Sequence, residues 1–255
     1  MNPYLILSGI GMLIVGALAP LIWWWKKGTE IEFFIYGLLL WVIAISPKFL
    51  MDFTITKPLS ESLLVYGNIA YVVVMGLYVG LRTGLLESGL SYIVIKKTKM
   101  RGADLNQAIA IGIGFGAIEA IFIGFSSFIN TLVFLLCPDL INKIPESQRD
   151  TVIQQLNQPS LIIPAPVLER TFVIVIHIFA LLLVFYAIKT SKIKYLIASI
   201  IYKTVVDGPI PAFQTYLNLN MPGDTYIVEA YFGILALIGL LGIEKIMERW
   251  RHHIA

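Results

Sequence analysis

The chain has 255 residues, of which 58% are hydrophobic and only 14% are charged, and its mean hydropathy is +0.82. A soluble chain of this length cannot bury so many apolar runs of about 20 residues, so the composition predicts an integral protein of the lipid bilayer. The formal net charge of +3 arises from basic residues that lie mostly at predicted helix ends. It therefore gives no support for a nucleic-acid partner. The single cysteine, Cys137, excludes an internal disulfide and a cysteine metal cluster.

Seven apolar segments, each ended by charge, proline or glycine, predict an all-α, polytopic helical bundle with about seven transmembrane helices. The expected segments are 4–25, 33–53, 62–82, 104–136, 167–188, 195–213 and 225–243. The first is interpreted as a retained helix, because it is too long for a secretory signal and no basic residue precedes it. Residues 1–255 are therefore expected to form a single transmembrane domain, with an outside loop at about 138–166.

The distribution of basic residues predicts the orientation. Loops assigned to the cytoplasm carry thirteen Lys and Arg residues, including Arg82, Lys96 and Lys97, whereas the opposite loops carry four, including Lys48. This bias predicts an outside N-terminus and a cytoplasmic C-terminus in a cell membrane, a bacterial inner or plasma membrane.

Segment 83–95 does not fit a simple count of crossings, because Arg82 before it and Lys96 and Lys97 after it all favour the cytoplasm. Two interpretations stay open. The segment is either an additional re-entrant or interfacial helix, or a continuation of the third span beyond the bilayer core.

Small residues recur every fourth position in two segments, which predicts smooth helix faces that pack closely in a membrane. The two stripes are Gly76, Gly80, Gly84 and Ser88, and Gly112, Gly116, Ala120 and Gly124. We expect the two stripes to face each other.

Glu119 is the one acid in the apolar stretch GIGFGAIEAIFIG. On a helix it lies within about 60° of the second stripe and so points into the bundle. An ionised carboxylate at mid-bilayer costs at least about 2.5 kcal/mol, and it therefore needs a partner, water or a proton. Glu119 is either a protonated acid in an interhelical hydrogen bond or a catalytic or ion-binding acid.

Other polar residues lie in similar surroundings. Arg170 and His177 are seven residues apart and share a helix face, with Glu169 beside the first of them. Lys203 and Asp207 form an i,i+4 pair directly before a Gly-Pro break. Each has a structural alternative: an interfacial Glu-Arg pair, a hydrogen-bonded core histidine, and a salt bridge that closes a kink.

The order of the motifs LLESGLSY, GIGFGAIEA, LERTFVIVIHI and YKTVVDG resembles the YhfC family of intramembrane proteases, which is distantly similar to the PrsW and CAAX-processing membrane endopeptidases. The resemblance covers about residues 75–210. It implies a cavity in which glutamates and histidines activate water for peptide hydrolysis. On this basis the catalytic candidates are Glu119, His177 and Glu87, and the supporting residues are Glu169, Arg170, Lys203 and Asp207.

The chain departs from the family pattern at four positions. Ser88 and Ser91 stand where a second glutamate and an arginine are expected, and Phe115 and Lys203 stand where histidines are expected. A zinc site needs about three protein ligands and an open position, and Phe115 supplies none. No metal site is assigned, although a divalent metal such as zinc stays open. The weak alternative ligand set is His177, Glu119 and Asp207.

Three functions stay open. The first is peptide-bond hydrolysis in a membrane-embedded cavity that Glu119 and His177 both face. The second is a catalytically inactive relative that binds a membrane-embedded peptide or a partner subunit, for instance in a peptide exporter or a self-protection system. The third is a small-solute carrier, which the lack of a visible inverted repeat disfavours.

Overall fold

The computed structural model describes residues 1–253, and these residues form helices and turns without any strand. Seven helices in this range are long and apolar enough to cross a membrane. In chain order, α1 to α7 are Pro3–Lys27, Ile31–Leu64, Asn68–Lys97, Leu105–Leu136, Ser160–Thr190, Lys194–Tyr216 and Pro222–His252. The expected all-α polytopic bundle is confirmed.

Helices α4 and α5 form the centre of the bundle and are the most deeply buried of the seven. Helix α4 begins with a capping box, in which the Asp104 side chain accepts from the backbone N–H of Gln107 at 2.8 Å and the Gln107 side chain accepts from the backbone N–H of Asp104 at 2.9 Å. Helices α1, α2 and α5 pack around α4, while α6 and α7 pack on α5 and α3 packs on α6. Every candidate residue therefore lies on a helix that touches its neighbours along much of its length.

The first glycine stripe lies against α6. A Cβ added at Gly80 would be 2.5 Å from the Thr204 carbonyl oxygen, and one at Gly84 would be 2.5 Å from the Ile200 carbonyl oxygen. Close packing was expected of this stripe, but the expected partner was wrong. Its glycines meet backbone of α6 and not the glycines of α4.

The second glycine stripe lies mainly against α5. A Cβ added at Gly112 or Gly116 would be 2.7 Å or 2.8 Å from the Cα atom of Ile178 or Ile174. Farther along the same helix, Gly124 lies against α1. Helix α4 therefore uses its small residues to bring α5 within backbone contact, which places the polar residues of α5 beside those of α4.

Segment 83–95 is not a separate re-entrant or interfacial helix. Helix α3 runs as α-helix over Asn68–Thr83, as π-helix over Gly84–Gly89, and again as α-helix over Leu90–Lys97. The wider π turn adds residues without a break, so the continuation of the third span is the interpretation that holds. The placement of Arg82 in a loop was also wrong, because the residue lies within this continuous helix and its guanidinium pairs with Asp52 of α2.

Several segment boundaries also differ from expectation, among them the end of the seventh helix, which lies at His252 and not at 243. Helix α2 continues through a π-helical stretch, Asp52–Thr56, to Leu64, so the third span begins at Asn68 and not at 62. Gly67, with φ of +87°, makes the turn between the two helices. The loop expected at 138–166 contains a short helix, Glu146–Leu156, and its last residues belong to α5.

One end of the bundle collects basic residues. Lys27, Lys189 and Arg251 line one cleft with Trp250, and the Lys189 ammonium lies 5.9 Å from the Trp250 ring. All three basic residues were assigned to the cytoplasm, and they do share one end of the bundle. The side of the membrane on which this end lies stays a prediction.

Candidate functional site

A cavity of about 430 Å³ lies between helices α2 to α7, and its charged residues are the ones that the motifs singled out. The charged and polar lining consists of Lys48, Glu87, Glu119, Glu169, Arg170, His177, Lys203 and Asp207. Aromatic and aliphatic residues form the rest of the wall, among them Trp41, Phe49, Val79, Phe122, Ile210 and Phe232. Two further cavities of comparable volume lie at the bundle ends, and neither has a histidine among its lining residues.

Glu119 is held through both carboxylate oxygens. Its Oε1 atom accepts from the Arg170 guanidinium at 2.7 Å. Its Oε2 atom accepts from the Trp41 indole N–H at 3.1 Å and lies 3.1 Å from Nε2 of His177. A guanidinium, an indole N–H and an imidazole nitrogen from α2 and α5 thus converge on this one carboxylate, a set of contacts that suits its ionised form.

Glu87 lies deeper and is also held on both oxygens. Its Oε1 atom pairs with the Lys48 ammonium, and its Oε2 atom lies 2.7 Å from Nζ of Lys203. All three side chains are buried, and the π-helical stretch of α3 turns Glu87 toward the two lysines from α2 and α6. The next residue, Ser88, shares a 2.8 Å hydrogen bond with Ser199, which fastens this turn to α6.

His177 connects the two glutamates. Nε2 is 3.1 Å from Glu119, while Nδ1 is 3.5 Å from the Lys203 ammonium and 3.8 Å from Glu87. An Nε2–H tautomer donates to Glu119 and leaves Nδ1 to accept from Lys203, which satisfies both nitrogens. The result is one chain of contacts from α2 to α5, here named the charge chain: Lys48, Glu87, Lys203, His177, Glu119, Arg170 and Glu169.

Asp207 lines the same cavity but lies outside the charge chain. Its Oδ2 atom accepts from the hydroxyl of Thr83 at 2.6 Å. Lys203, one turn earlier on α6, is directed toward Glu87, so the salt bridge between Lys203 and Asp207 that was the structural alternative is not formed. The Glu169–Arg170 pair is formed, and Arg170 reaches Glu119 as well.

Lys48 and Trp41 are the site residues that sequence reasoning missed. Both lie on α2, and both contact a candidate glutamate. Lys48 was assigned to an outside loop, but it is buried within the helix, with 7% of its surface exposed. The sequence did contain a signal, a lone lysine in the apolar stretch ISPKFLM. Burying an unpaired ammonium there would cost about as much free energy as burying the unpaired Glu119 carboxylate.

The fold and the site define a polytopic membrane protein that encloses a paired cluster of ionisable side chains near the middle of its bundle. Residues 11–231 match the profile of the YhfC intramembrane metalloprotease family, and the chain belongs to that family. Comparison with curated proteins and with solved structures gives no match.

The family description implies a bound metal, but the side chains of this site do not fit one. Within residues 1–253, no three His, Cys, Asp or Glu side chains come together in a way that could hold a metal ion, and this includes the alternative set of His177, Glu119 and Asp207. The two glutamates lie at opposite nitrogens of the His177 ring, so they do not converge on one point. The ring of Phe115 packs against His177 with centroids 4.6 Å apart, where it offers no ligand atom.

Proposed function

We propose that this protein binds a membrane-embedded peptide in the cavity and does not hydrolyse it. The observation that carries the proposal is the pairing of both candidate glutamates. Glu87 is held between two ammonium groups, and Glu119 is held by Arg170, Trp41 and His177. A general base must take a proton from water, and the cationic partners of these carboxylates oppose that transfer, although they leave lone pairs that can accept a hydrogen bond.

The walls of the cavity suit an apolar peptide. Phe49 and Phe122 stand at its edge and are 64% and 61% exposed on the surface of apolar helices. In a bilayer such a surface faces lipid, so the cavity opens sideways toward the hydrocarbon. A volume of about 430 Å³ is in the range of sites that bind small ligands, and it accommodates a short unwound stretch of a membrane peptide.

The polar floor of the cavity suits the backbone of such a peptide. Glu119 and Glu169 keep 19% and 27% of their side-chain surface exposed, whereas Arg170 and Lys203 are almost fully covered. Peptide N–H groups in hydrocarbon need acceptors, and these carboxylate oxygens supply them. Arg170 pairs with both carboxylates from behind and holds them at the cavity wall.

Peptide hydrolysis is the second candidate, and one observation favours it. Glu119 is a partly exposed carboxylate of the charge chain, and among the carboxylates of the chain it is the one that lies within 3.1 Å of the His177 ring. In that reaction Glu119 would take a proton from water as the water oxygen bonds to the amide carbon. The same proton would then pass to the leaving nitrogen as the C–N bond breaks.

The two candidates are separated by assaying binding and cleavage on the same sample. Protein in lipid nanodiscs is incubated with photo-crosslinkable apolar peptides, and both crosslinked and cleaved products are identified by mass spectrometry. Wild type is compared with Glu119→Gln, with the cavity-filling Val79→Phe, and with Glu146→Gln on the exposed short helix.

Under the proposal, wild type and Glu146→Gln crosslink peptide equally and release no fragments. Loss of a hydrogen bond to a charged acceptor lowers crosslinking by about tenfold or more in Glu119→Gln. Val79→Phe lowers it by filling the cavity without touching a charge. Fragments that form with wild type and disappear in Glu119→Gln would establish hydrolysis instead. Equal crosslinking by wild type and Val79→Phe would contradict binding in this cavity.

A further inference from the structure

Two buried lysines share one carboxylate in this site. Lys48 is 7% exposed and Lys203 is 3% exposed, and they pair with opposite oxygens of Glu87, itself 8% exposed. Two ammonium groups this close repel each other, and each loses its hydration. Neutralising Glu87 by itself requires only one of the two lysines, so the second ammonium needs a further role at this position.

The contacts of Lys203 are those expected of a metal ion. Its Nζ atom lies 2.7 Å from a carboxylate oxygen of Glu87 and 3.5 Å from Nδ1 of His177. Carboxylate oxygen and neutral imidazole nitrogen are common ligands of zinc. Lys48 completes the arrangement from the other oxygen of Glu87, and the two lysines together carry the charge of one divalent cation.

We propose that the ammonium groups of Lys48 and Lys203 replace a metal ion in this protein. The pair connects α2, the π-helical stretch of α3, and α6 through Glu87, and it connects α5 through His177. A metal ion at the same place would bind carboxylate and imidazole groups from several helices in the same way. The ammonium groups also exclude a metal, because a dication at Nδ1 of His177 would meet the Lys203 charge at short range.

This inference is independent of peptide binding, since it concerns what holds the charged residues of the site together. The test uses full-length protein purified in detergent without added chelator. Bound zinc, iron, manganese and cobalt are measured by mass spectrometry, and thermal unfolding is measured with and without EDTA. The variants are Lys48→Met and Lys203→Met, which keep the length of the side chain and remove the charge. The matched control is Lys57→Met, an exposed lysine of the same helix α2.

The expected wild type carries only substoichiometric metal, and EDTA leaves its midpoint of unfolding unchanged. Removing one partner of a buried ion pair is strongly destabilising, so each site variant should unfold about 10 °C or more below Lys57→Met. If a site variant is too unstable to purify, the metal content and the EDTA response of wild type decide the question.

Two results would overturn the inference. One is about one metal ion per wild-type chain, whose removal by EDTA lowers the midpoint of unfolding. The other is a metal-free wild type whose Lys48→Met and Lys203→Met variants are as stable as Lys57→Met, because the ammonium groups would then hold nothing together.

Discussion

The contact between α2 and α4 at Gly37 supports a quantitative prediction. A Cβ added at Gly37 would lie 2.1 Å from the carbonyl oxygen of Ile111 and 2.6 Å from the backbone nitrogen of Phe115. Ordinary contact begins at 3.4 Å, and backbone atoms cannot rotate away as a side chain can. The Gly37→Ala substitution therefore requires the two helices to separate by about 1.3 Å, a strain of the kind produced by overpacking.

Such a separation also reaches the site. Trp41 lies one turn after Gly37, and its 3.1 Å hydrogen bond to Glu119 would lengthen beyond bonding distance. Overpacking against backbone costs about 3 kcal/mol, and the better helix propensity of alanine returns about 1 kcal/mol. The net loss of about 2 kcal/mol in the free energy of unfolding corresponds to a fall of about 4 to 8 °C in the midpoint for a chain of this size.

Thermal unfolding of detergent-purified protein, followed by size-exclusion chromatography, measures this change. Gly89→Ala is the matched control, because a Cβ added at Gly89 meets no atom within 4 Å. Gly37→Ala is expected to unfold below both wild type and Gly89→Ala. A Gly37→Ala protein as stable as Gly89→Ala would refute the close approach of α2 and α4, and with it the positioning of Trp41.

Three further predictions concern orientation and stability. In a background without the native cysteine, Lys99→Cys and Arg251→Cys should both react with a thiol reagent from the cytoplasmic side only; labelling from opposite sides would contradict the predicted orientation. Tyr202→Phe should lower the free energy of unfolding by about 1 to 2 kcal/mol, because its buried hydroxyl donates to the Leu235 carbonyl at 2.8 Å; an unchanged midpoint would argue against that bond. Asp104→Ala should cost about 1 kcal/mol through loss of the α4 cap, and Asp104→Asn should restore most of it.

The helices and the polar residues of the site could be predicted because the bilayer requires long apolar segments, in which any polar residue stands out in the sequence. An apolar run of sufficient length has few alternatives to a spanning helix, and this holds for all seven. Glu119 and His177 were identifiable because each interrupts such a run at a cost that requires partners. The family resemblance predicted in addition that the two residues lie close together. In the structure, Nε2 of His177 is 3.1 Å from the Glu119 carboxylate.

The partners of each helix face could not be predicted, because local sequence does not carry that information. The Gly76 and Gly80 spacing shows that one face is smooth, but not that Thr204 of α6 lies across it. Lys48 was misassigned because it follows a proline near the expected end of a span, a position where lysine normally faces solvent. Its burial depends on Glu87 from a different helix.

The π-helical stretch Gly84–Gly89 makes the length of this region as important as its composition. Because a π turn holds one residue more than an α turn, deleting one residue there would let the stretch close into α-helix with Leu90–Lys97 on nearly the same face. The wide turn that directs Glu87 at the two lysines would then be lost, and an inserted residue in ordinary α-helix would instead rotate Leu90–Lys97 by about 100°, which would turn the buried Ser91 and Ile95 away from the core. Insertions and deletions between Gly84 and Gly89 should therefore be tolerated far less than substitutions, so related chains that share this site should keep the same number of residues there.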